Sequence, residues 1–572
     1  MLNEIKQEII KAIYSAGVTG TVELVSPPKS DMGDFALACF NYAKQLNLSP
    51  VEAAKILADD VQKDISRLDI VEKVAVQGPY VNFYLHSKLL AERILNGITP
   101  EYGIQAKNNK KVLIEFAQPN THKAFHIGHL RGTITGESLS RIMAVAGYDV
   151  VRVNYQGDVG MHIAKCLWSI LQIRNPKSEI RKLNNINEKI DFLSAAYVAG
   201  AKAFEENEDA KKEIVDINGK IYDGEATVKL LYDETRAWSL EYFNNIYERL
   251  DTRFDRFYFE SEMFRPAIEI VKESLKKEIL KQSNGAVIFE GSKHGLHDRV
   301  FLNSLGLPTY EGKDLALAQK QFEEFDLDEI LHVVGKEQTE YFKVLFKVLE
   351  QVLPQSRGKE KHLSYGWVSL KEGKMSSRTG AVVLAEDLMA DVNEKVSGIM
   401  KKSEINNKEE TADKVAMAAL KYSFLKTGVH NDIVFNLEES VSLTGDSGPY
   451  LLYIVARINS ILKKAGRDSF FTKLFNKKGG LPEQVGDIER KLLMKLAEFD
   501  DIIMNASEAR DPSKIAQYLF TLAQLFNNFY HELPILKAEG TDKAFRIQVI
   551  KAVHIVMSKG LNLLGINTVE EM

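Results

Sequence analysis

The chain has 572 residues, of which 45% are hydrophobic and 27% charged, with 36 Gly and 14 Pro; this is an ordinary globular mixture, too long for one core, and neither collagenous nor linker-like. Lys plus Arg number 74 and Asp plus Glu 79, a net charge of −5, so any nucleic-acid contact must use local basic patches rather than a polycationic surface. Cys39 and Cys166 are far apart without CxxC spacing, no apolar run reaches ~18 residues, and the opening MLNEIKQEIIKAIYSAG lacks a signal-peptide core, so a cytoplasmic protein with no membrane partner is expected.

Ile5, Ile9, Ile10 and Ile13 are spaced for one face of a helix, Ser26-Pro27-Pro28 reads as a turn, and a second helix is predicted over 50–61. Val74–Val76 and Val81–Leu85 bracket Gly78-Pro79 as strand, turn, strand. These elements predict an α+β module over 1–105, closed by the polar stretch 106–110. Lys111–Ala117 is an apolar run suited to a buried parallel strand. Leu130, Ile134, Leu139, Ile142 and Met143 mark a helix that stops near Gly147, and Asp149–Val153 reads as the next strand. That is a βαβ unit, the start of a doubly wound, Rossmann-type sheet.

From about 175 to 280 the pattern is long, charged and helical, read as an insertion with a solvated surface. Sheet-like runs resume at 285–289, 330–334 and 365–370. Beyond about 395 the chain reads as helical to its end, apart from loops near 427–449 and 473–487. The expected architecture is multidomain α/β: an add-on domain (1–105), a Rossmann-type domain with its helical insertion (106–395), and an all-α bundle (396–572).

Two segments carry chemistry. Pro119–Arg131 reads PNTHKAFHIGHLR and lies between a predicted strand and a predicted helix, where backbone N–H groups and the helix dipole favour anions. His126 and His129 can face one phosphate from the first turn, and Gly128 lets a flat ligand approach the backbone. An isolated HxxH is more often two solvated caps, but the Pro-Asn turn and βαβ context argue for phosphate. Zinc lacks a third ligand at a recognisable spacing. The second segment, KEGKMSSRTG over 371–380, is a Gly-flanked loop whose Lys374, Ser376, Ser377 and Arg378 could grip a polyphosphate.

HIGH at 126–129 and KMSSR at 374–378 resemble the two signatures of class I aminoacyl-tRNA synthetases, and IEFAQPNTHKAFHIGHLR is similar to the arginyl-tRNA synthetase family in particular. Gly33–Ala36 (GDFA), Gly78–Phe83 (GPYVNF), Gly157–Gly160 (GDVG), Tyr453, Ala456 and Arg457, and LNLLGI near the C-terminus also resemble that family. The resemblance implies ATP-dependent ligation of L-arginine to tRNA(Arg), with Mg²⁺ arriving on ATP, no tightly bound metal, and a monomeric enzyme. It implies an ATP site of His126, Gly128, His129, Lys374, Ser376, Ser377 and Arg378, with catalysis by His126, His129, Lys123 and Lys374.

By the same resemblance Glu115, Tyr310 and Asp314 would address the arginine side chain, and Asn120 and Gln338 its α-amino and α-carboxylate end. A guanidinium needs planar carboxylates for paired hydrogen bonds, and Tyr310 and Asp314, four apart, share a helical face. Tyr453 and Arg457 would meet the anticodon; Tyr80 and Asn82 would contact a tRNA loop near the elbow. His162 either lines the ATP site or is a satisfied core histidine.

There are departures from the family pattern. Ser377 stands where the second lysine of KMSKS is usual. Lys123, just upstream of HIGH, is the expected replacement, with Arg378 the competitor. Ile454-Val455, Val569 and Glu571 also differ from the commoner residues.

Overall fold

The computed structural model describes residues 1–65, 68–371, 383–466 and 481–572. The first helix, Leu2–Ser15, buries Leu2, Ile5, Ile9, Ala12 and Ile13, while Ile10, at the edge of that stripe, is only half-buried. Strands β1 (Phe35–Ala38), β2 (Val71–Gln77) and β3 (Tyr80–Leu85) form an antiparallel sheet in the order β1-β3-β2, packed against the helix Pro50–Ile65. The GDFA motif explains itself here. Gly33 has φ +102°, and a Cβ there would lie 2.9 Å from the Phe83 carbonyl oxygen. Asp34 accepts hydrogen bonds from the Leu85 amide (2.7 Å) and from Arg490 (2.5 Å), which docks this domain onto the helix Asp487–Ala497.

The next strands are β4 (Lys111–Glu115), β5 (Asp149–Gln156), β6 (Arg256–Phe259), β7 (Lys281–Ser283), β8 (Ala286–Phe289), β9 (Arg299–Leu302), β10 (Glu329–Gly335) and β11 (Glu360–Tyr365). Five of them make a parallel sheet in the order β11-β10-β4-β5-β6. The chain winds outward from β4 through β5 to β6, then returns to the other side of β4. The switch point therefore lies between the C-terminal ends of β4 and β10, where doubly wound sheets bind ligands.

The helix Ile127–Val145 covers one face of this sheet. Its Gly136 sits so close under Phe116 that a Cβ would be 2.2 Å from the ring. The helices Glu260–Lys276 and Tyr310–Glu324 cover the other face, joining Met263, Ala267, Ala316 and Leu317 to Leu113, Val151, Val153 and Ile330.

Three sequence expectations are corrected. The helical insertion ends earlier than 280: its helices run over Pro176–Ile180, Ile186–Glu206, Glu208–Asp223 and Ala226–Arg249, and β6 at 256–259 is already the edge of the main sheet. Four residues, Arg-Phe-Tyr-Phe, between charged helices are too few to show a strand period. The run at 285–289 belongs to a separate antiparallel sheet, β7-β8-β9. The run at 365–370 is split: β11 ends at Tyr365, and β12 (Val368–Leu370) pairs in parallel with β13 (Ile433–Phe435), a strand in the region read as helix and loop. The remainder is helical, including Gly448–Gly466, Ser513–Glu532 and Gly540–Leu563.

Candidate active site

The loop from β4 to the covering helix is strained. Ala117 (φ 75°), Gln118 (φ 50°) and His122 (φ 62°) all adopt left-handed backbone, which costs of order 1–3 kcal/mol for each such residue unless neighbours enforce it. They are enforced. The Gln118 amide donates to Asn154 Oδ1 (3.1 Å), the Thr121 amide to the Gly157 carbonyl (2.8 Å), and the His122 amide to Ser239 Oγ (2.9 Å). The His122 ring bridges Thr121 (3.0 Å) and Thr235 (2.8 Å), and burial pulls its pKa down to about 3, so it stays neutral. Thr235 and Ser239 belong to the insertion helix Ala226–Arg249. From that helix Arg236 also pairs with buried Asp158 of the GDVG motif (2.8 Å). The insertion is thus a clamp on the loop that follows β4 as well as a solvated surface. No local signal marks His122, because Thr235 and Ser239 lie more than a hundred residues away.

His126 caps the helix Ile127–Val145. Its Nδ1 accepts from the amides of Gly128 (3.1 Å) and His129 (3.4 Å), while its own amide donates to His129 Nδ1 (3.4 Å). Backbone amides can only donate, so both Nδ1 atoms are unprotonated and each neutral ring carries its hydrogen on Nε2. The rings stack with centroids 3.6 Å apart. Burial lowers both pKa values, with His126 and Lys123 adding to the effect at His129. The result is a pair of neutral N–H donors at a helix N-terminus. Gly128 is needed for this cap, since a Cβ would come 3.0 Å from the His126 ring. Lys123 makes no ion pair among the described residues, and its ammonium lies 5.0 Å from the centre of the Tyr197 ring on the insertion.

Beside the switch point is a carboxylate pocket. Glu115, 3% exposed, accepts from Gln118 (2.6 Å) and Gln321 (2.8 Å) and faces His332 Nδ1 (3.4 Å). His332 Nε2 meets Glu360 at 2.7 Å. Burial would lower the pKa of His332, but Glu115 and Glu360 together raise it to about 10, so it is an imidazolium. Asp314 accepts from the Tyr341 hydroxyl (2.5 Å). Burial raises its pKa to about 8; the Tyr341 bond opposes the rise, and the charge of Glu115 adds to it. Lys313 and Glu260, both buried, form an ion pair alongside.

Of the five residues expected to hold arginine, Glu115 and Asp314 are brought together. Asn120 is half-buried beside Gly157, where a Cβ would lie 2.0 Å from its Oδ1. Tyr310, 55% exposed, and Gln338, also exposed, lie at the start of the helix Tyr310–Glu324 and on the turn after β10. Sequence reasoning missed His332, Glu360, Tyr341 and Gln321. Only Gln321 had a local signal, since it lies seven residues after Asp314 and so two helical turns along the same face. His162 is buried and its Nε2 has no partner among the described residues, so it is not a satisfied core histidine.

Lys374, Ser376, Ser377 and Arg378 lie outside the described residues. The chain that leads toward them is held by Arg131, the residue after HIGHL. Its guanidinium, 1% exposed, donates to the carbonyls of Gly366 (2.6 Å), Trp367 (3.0 Å), Val429 (3.0 Å) and Asn431 (2.8 Å). One side chain thus ties the first signature to the strand that leads into the second.

In the C-terminal domain Tyr453 and Arg457 share a cleft of about 1160 Å³ with Lys463, Lys464, Tyr530 and the chain end. Arg457 stacks 4.5 Å from the Tyr453 ring and 5.1 Å from Tyr530, and donates to Asn527 (3.0 Å). Phe526 and Phe529 are core. In the N-terminal domain Tyr80 is 39% exposed and meets Phe40 edge-on. Asn82, expected beside it as a tRNA contact, is instead 3% exposed and donates to Gln77 (3.4 Å). It sits on the central strand of its sheet, between β1 and β2.

A doubly wound sheet with a histidine-capped helix at its switch point, clamped by a helical insertion and followed by a helical domain, defines a class I aminoacyl-tRNA synthetase. The family models agree along the chain: residues 92–437 match the class I (R) tRNA synthetase catalytic domain, 2–85 the arginyl tRNA synthetase N terminal domain, and 451–572 the DALR anticodon binding domain. The arginine–tRNA ligase of Borrelia hermsii is 32% identical, over 100% of this chain and 99% of its own length; that of Treponema denticola is 34% identical over 96% and 95%. The Thermus thermophilus arginyl-tRNA synthetase structure superposes with a TM-score of 0.79 at 25% identity, covering 100% of both chains. The chain belongs to the arginyl-tRNA synthetase family.

Proposed function

We propose that the pocket of Asp314 and Glu115 holds the arginine guanidinium while His126, His129 and Lys123 steady the ATP phosphates during activation, with Lys374, Ser376, Ser377 and Arg378 closing on the same phosphates. The observation that carries this reading is Asp314, on the helix Tyr310–Glu324: a half-buried residue whose carboxyl has Tyr341 as its only hydrogen-bond donor among the described residues. A guanidinium supplies the charge it lacks. Glu115 already accepts from two glutamines and faces an imidazolium, so Asp314 is the principal charge partner and Glu115 a fixed acceptor behind it. Asn120 and Gln338 orient the α-amino and α-carboxylate groups, and Tyr310 covers the pocket from its rim.

Activation needs no covalent enzyme intermediate. The arginine carboxylate attacks the α-phosphate, forming the mixed anhydride and expelling pyrophosphate; a terminal ribose hydroxyl of tRNA then takes the arginyl group and releases AMP. The two Nε2–H donors and the Lys123 ammonium stabilise charge that develops on the phosphate oxygens. Magnesium arrives on ATP. The enzyme is a cytoplasmic monomer, with the anticodon on the helical domain 396–572 and the tRNA elbow at 1–105, Tyr80 being its exposed contact. Charging assays with each amino acid, total tRNA and ATP test the substrate assignment: arginine alone should be attached, and attachment of another amino acid at a comparable rate would end it.

Two further results are expected. Arginine binds ionised Asp314, whose pKa in the free protein is about 8. Below that value binding must first remove a proton, so arginine KM should fall roughly tenfold from pH 6 to 7 and level off above pH 8. A flat profile would remove Asp314 from the contact. In the C-terminal cleft, Tyr453→Ala and Arg457→Ala should each lower kcat/KM for tRNA by roughly tenfold or more, since a base stacked on an aromatic ring contributes ~1–3 kcal/mol. Normal charging by both variants would move the anticodon elsewhere.

A further inference from the structure

Tyr155 lies on β5, two residues beyond Val153. Val153 is level with Glu115 on β4, and Glu115 with His332 on β10. Neighbours in register on a parallel sheet share a face, and so do residues two apart on one strand. Tyr155 therefore stands on the face that carries Glu115, beneath the helix of Asp314 and Gln321. Its ring packs with Leu113, Val153 and Tyr258. Its hydroxyl is buried and has no hydrogen-bond partner among the described residues. Around it the other donors are engaged: Tyr341 with Asp314, Gln118 and Gln321 with Glu115, Lys313 with Glu260. Burial first, then the charges of Glu260, Asp314 and Glu115, hold the phenol well above its ordinary range, so it remains a neutral hydroxyl. A buried polar atom left unpaired is costly, and with the Oε1 atoms of Gln321 and Glu360 also unpaired among the described residues, the hydroxyl calls for a partner from outside the protein.

We infer that the Tyr155 hydroxyl is a specificity determinant of the amino-acid pocket, accepting one guanidinium N–H while the carboxylates take others, an assignment that rests on Asp314 facing the same group. A guanidinium offers five N–H donors in a rigid plane, so it can satisfy Asp314 and a hydroxyl set to one side of it together. An ammonium presents a compact charge that satisfies Asp314 and leaves the hydroxyl unpaired. The site thus penalises lysine through an unmet hydrogen bond.

Tyr155→Phe keeps the ring and removes only the oxygen. Titration calorimetry of the full chain with L-arginine should show binding weakened by about ten- to a hundredfold, the scale of a hydrogen bond to a charged group. ATP KM should stay within about twofold, and the arginine-over-lysine ratio in binding should narrow by the loss seen for arginine. Because the free protein gives up an unpaired buried hydroxyl, its melting temperature should hold or rise. A melting temperature that falls together with affinity would make Tyr155 merely structural and overturn the inference. So would arginine binding within about twofold of the parent, the behaviour of a hydroxyl satisfied by a buried water. Asp314→Asn, titrated in parallel, keeps the two readings apart: if it binds arginine normally the pocket itself is misplaced, whereas if it loses arginine and Tyr155→Phe does not, only the hydroxyl's role fails.

Discussion

Asp314→Asn should raise the arginine KM by roughly thirtyfold or more while leaving the ATP KM almost unchanged. Removing one partner of a buried charge pair costs about 2–5 kcal/mol, because the remaining charge is left unpaired away from water. Asparagine also replaces one of the two acceptor oxygens of the fork with an NH₂ that repels a guanidinium. The free protein should not suffer. Asp314 is half-buried, with a pKa raised to about 8 by desolvation, so its ionised form opposes folding rather than supporting it. Loss of substrate affinity without loss of melting temperature is the expected signature, and the pH dependence of arginine KM between 6 and 8 should vanish with the carboxyl. An unchanged KM would leave Glu115 alone in the pocket and remove the basis for arginine selection argued above.

Lys123→Ala should cut kcat by about 10²–10³-fold with arginine KM nearly constant, the scale seen when one preorganised donor to a developing oxyanion is removed. Ser377 supplies no charge where the second signature usually has lysine, yet the α-phosphate gathers negative oxygens as the carboxylate attacks. Lys123 lies three residues before His126, its charge is felt at His126, His129 and His162, and no carboxylate pairs with it among the described residues. It rests on the Tyr197 ring, a contact weak enough to give up for a phosphate. Ser377→Lys in the Lys123→Ala background should recover part of the rate. If Lys123→Ala is nearly silent and Arg378→Ala is crippling, the second loop provides its own cation.

Much was legible in the residues because it is local. The βαβ start, the helix from Leu130 to Met143 and the histidine pair at its first turn depend on strand and helix periods and on capping, which act over a few residues. The HIGH cap is the clearest case: both histidines, Gly128 and the helix start lie within four positions. The spacing of Tyr310 and Asp314 was legible for the same reason. By contrast β6 and β13, a few residues each, take their form from the strands beside them, so no period marks them in isolation.

Sequence by itself determined the family and pointed to the helix N-terminus proposed here to face phosphate and to the acidic residues proposed to hold the substrate, since each rests on short-range pattern. Only the tertiary structure decided their states. Glu115 becomes a satisfied acceptor because His332, Glu360 and Gln321 arrive from β10, β11 and a helix two hundred residues away. Asp314 has its pKa raised because desolvation and then the charge of Glu115 outweigh the Tyr341 hydrogen bond. Asn82 is lost to the surface, its side chain turned to Gln77 of the neighbouring strand, and Tyr155 acquires an unpaired hydroxyl because the donors around it pair with carboxylates. Desolvation and charge coupling depend on everything within several ångströms, and in a doubly wound sheet those neighbours come from the whole length of the domain.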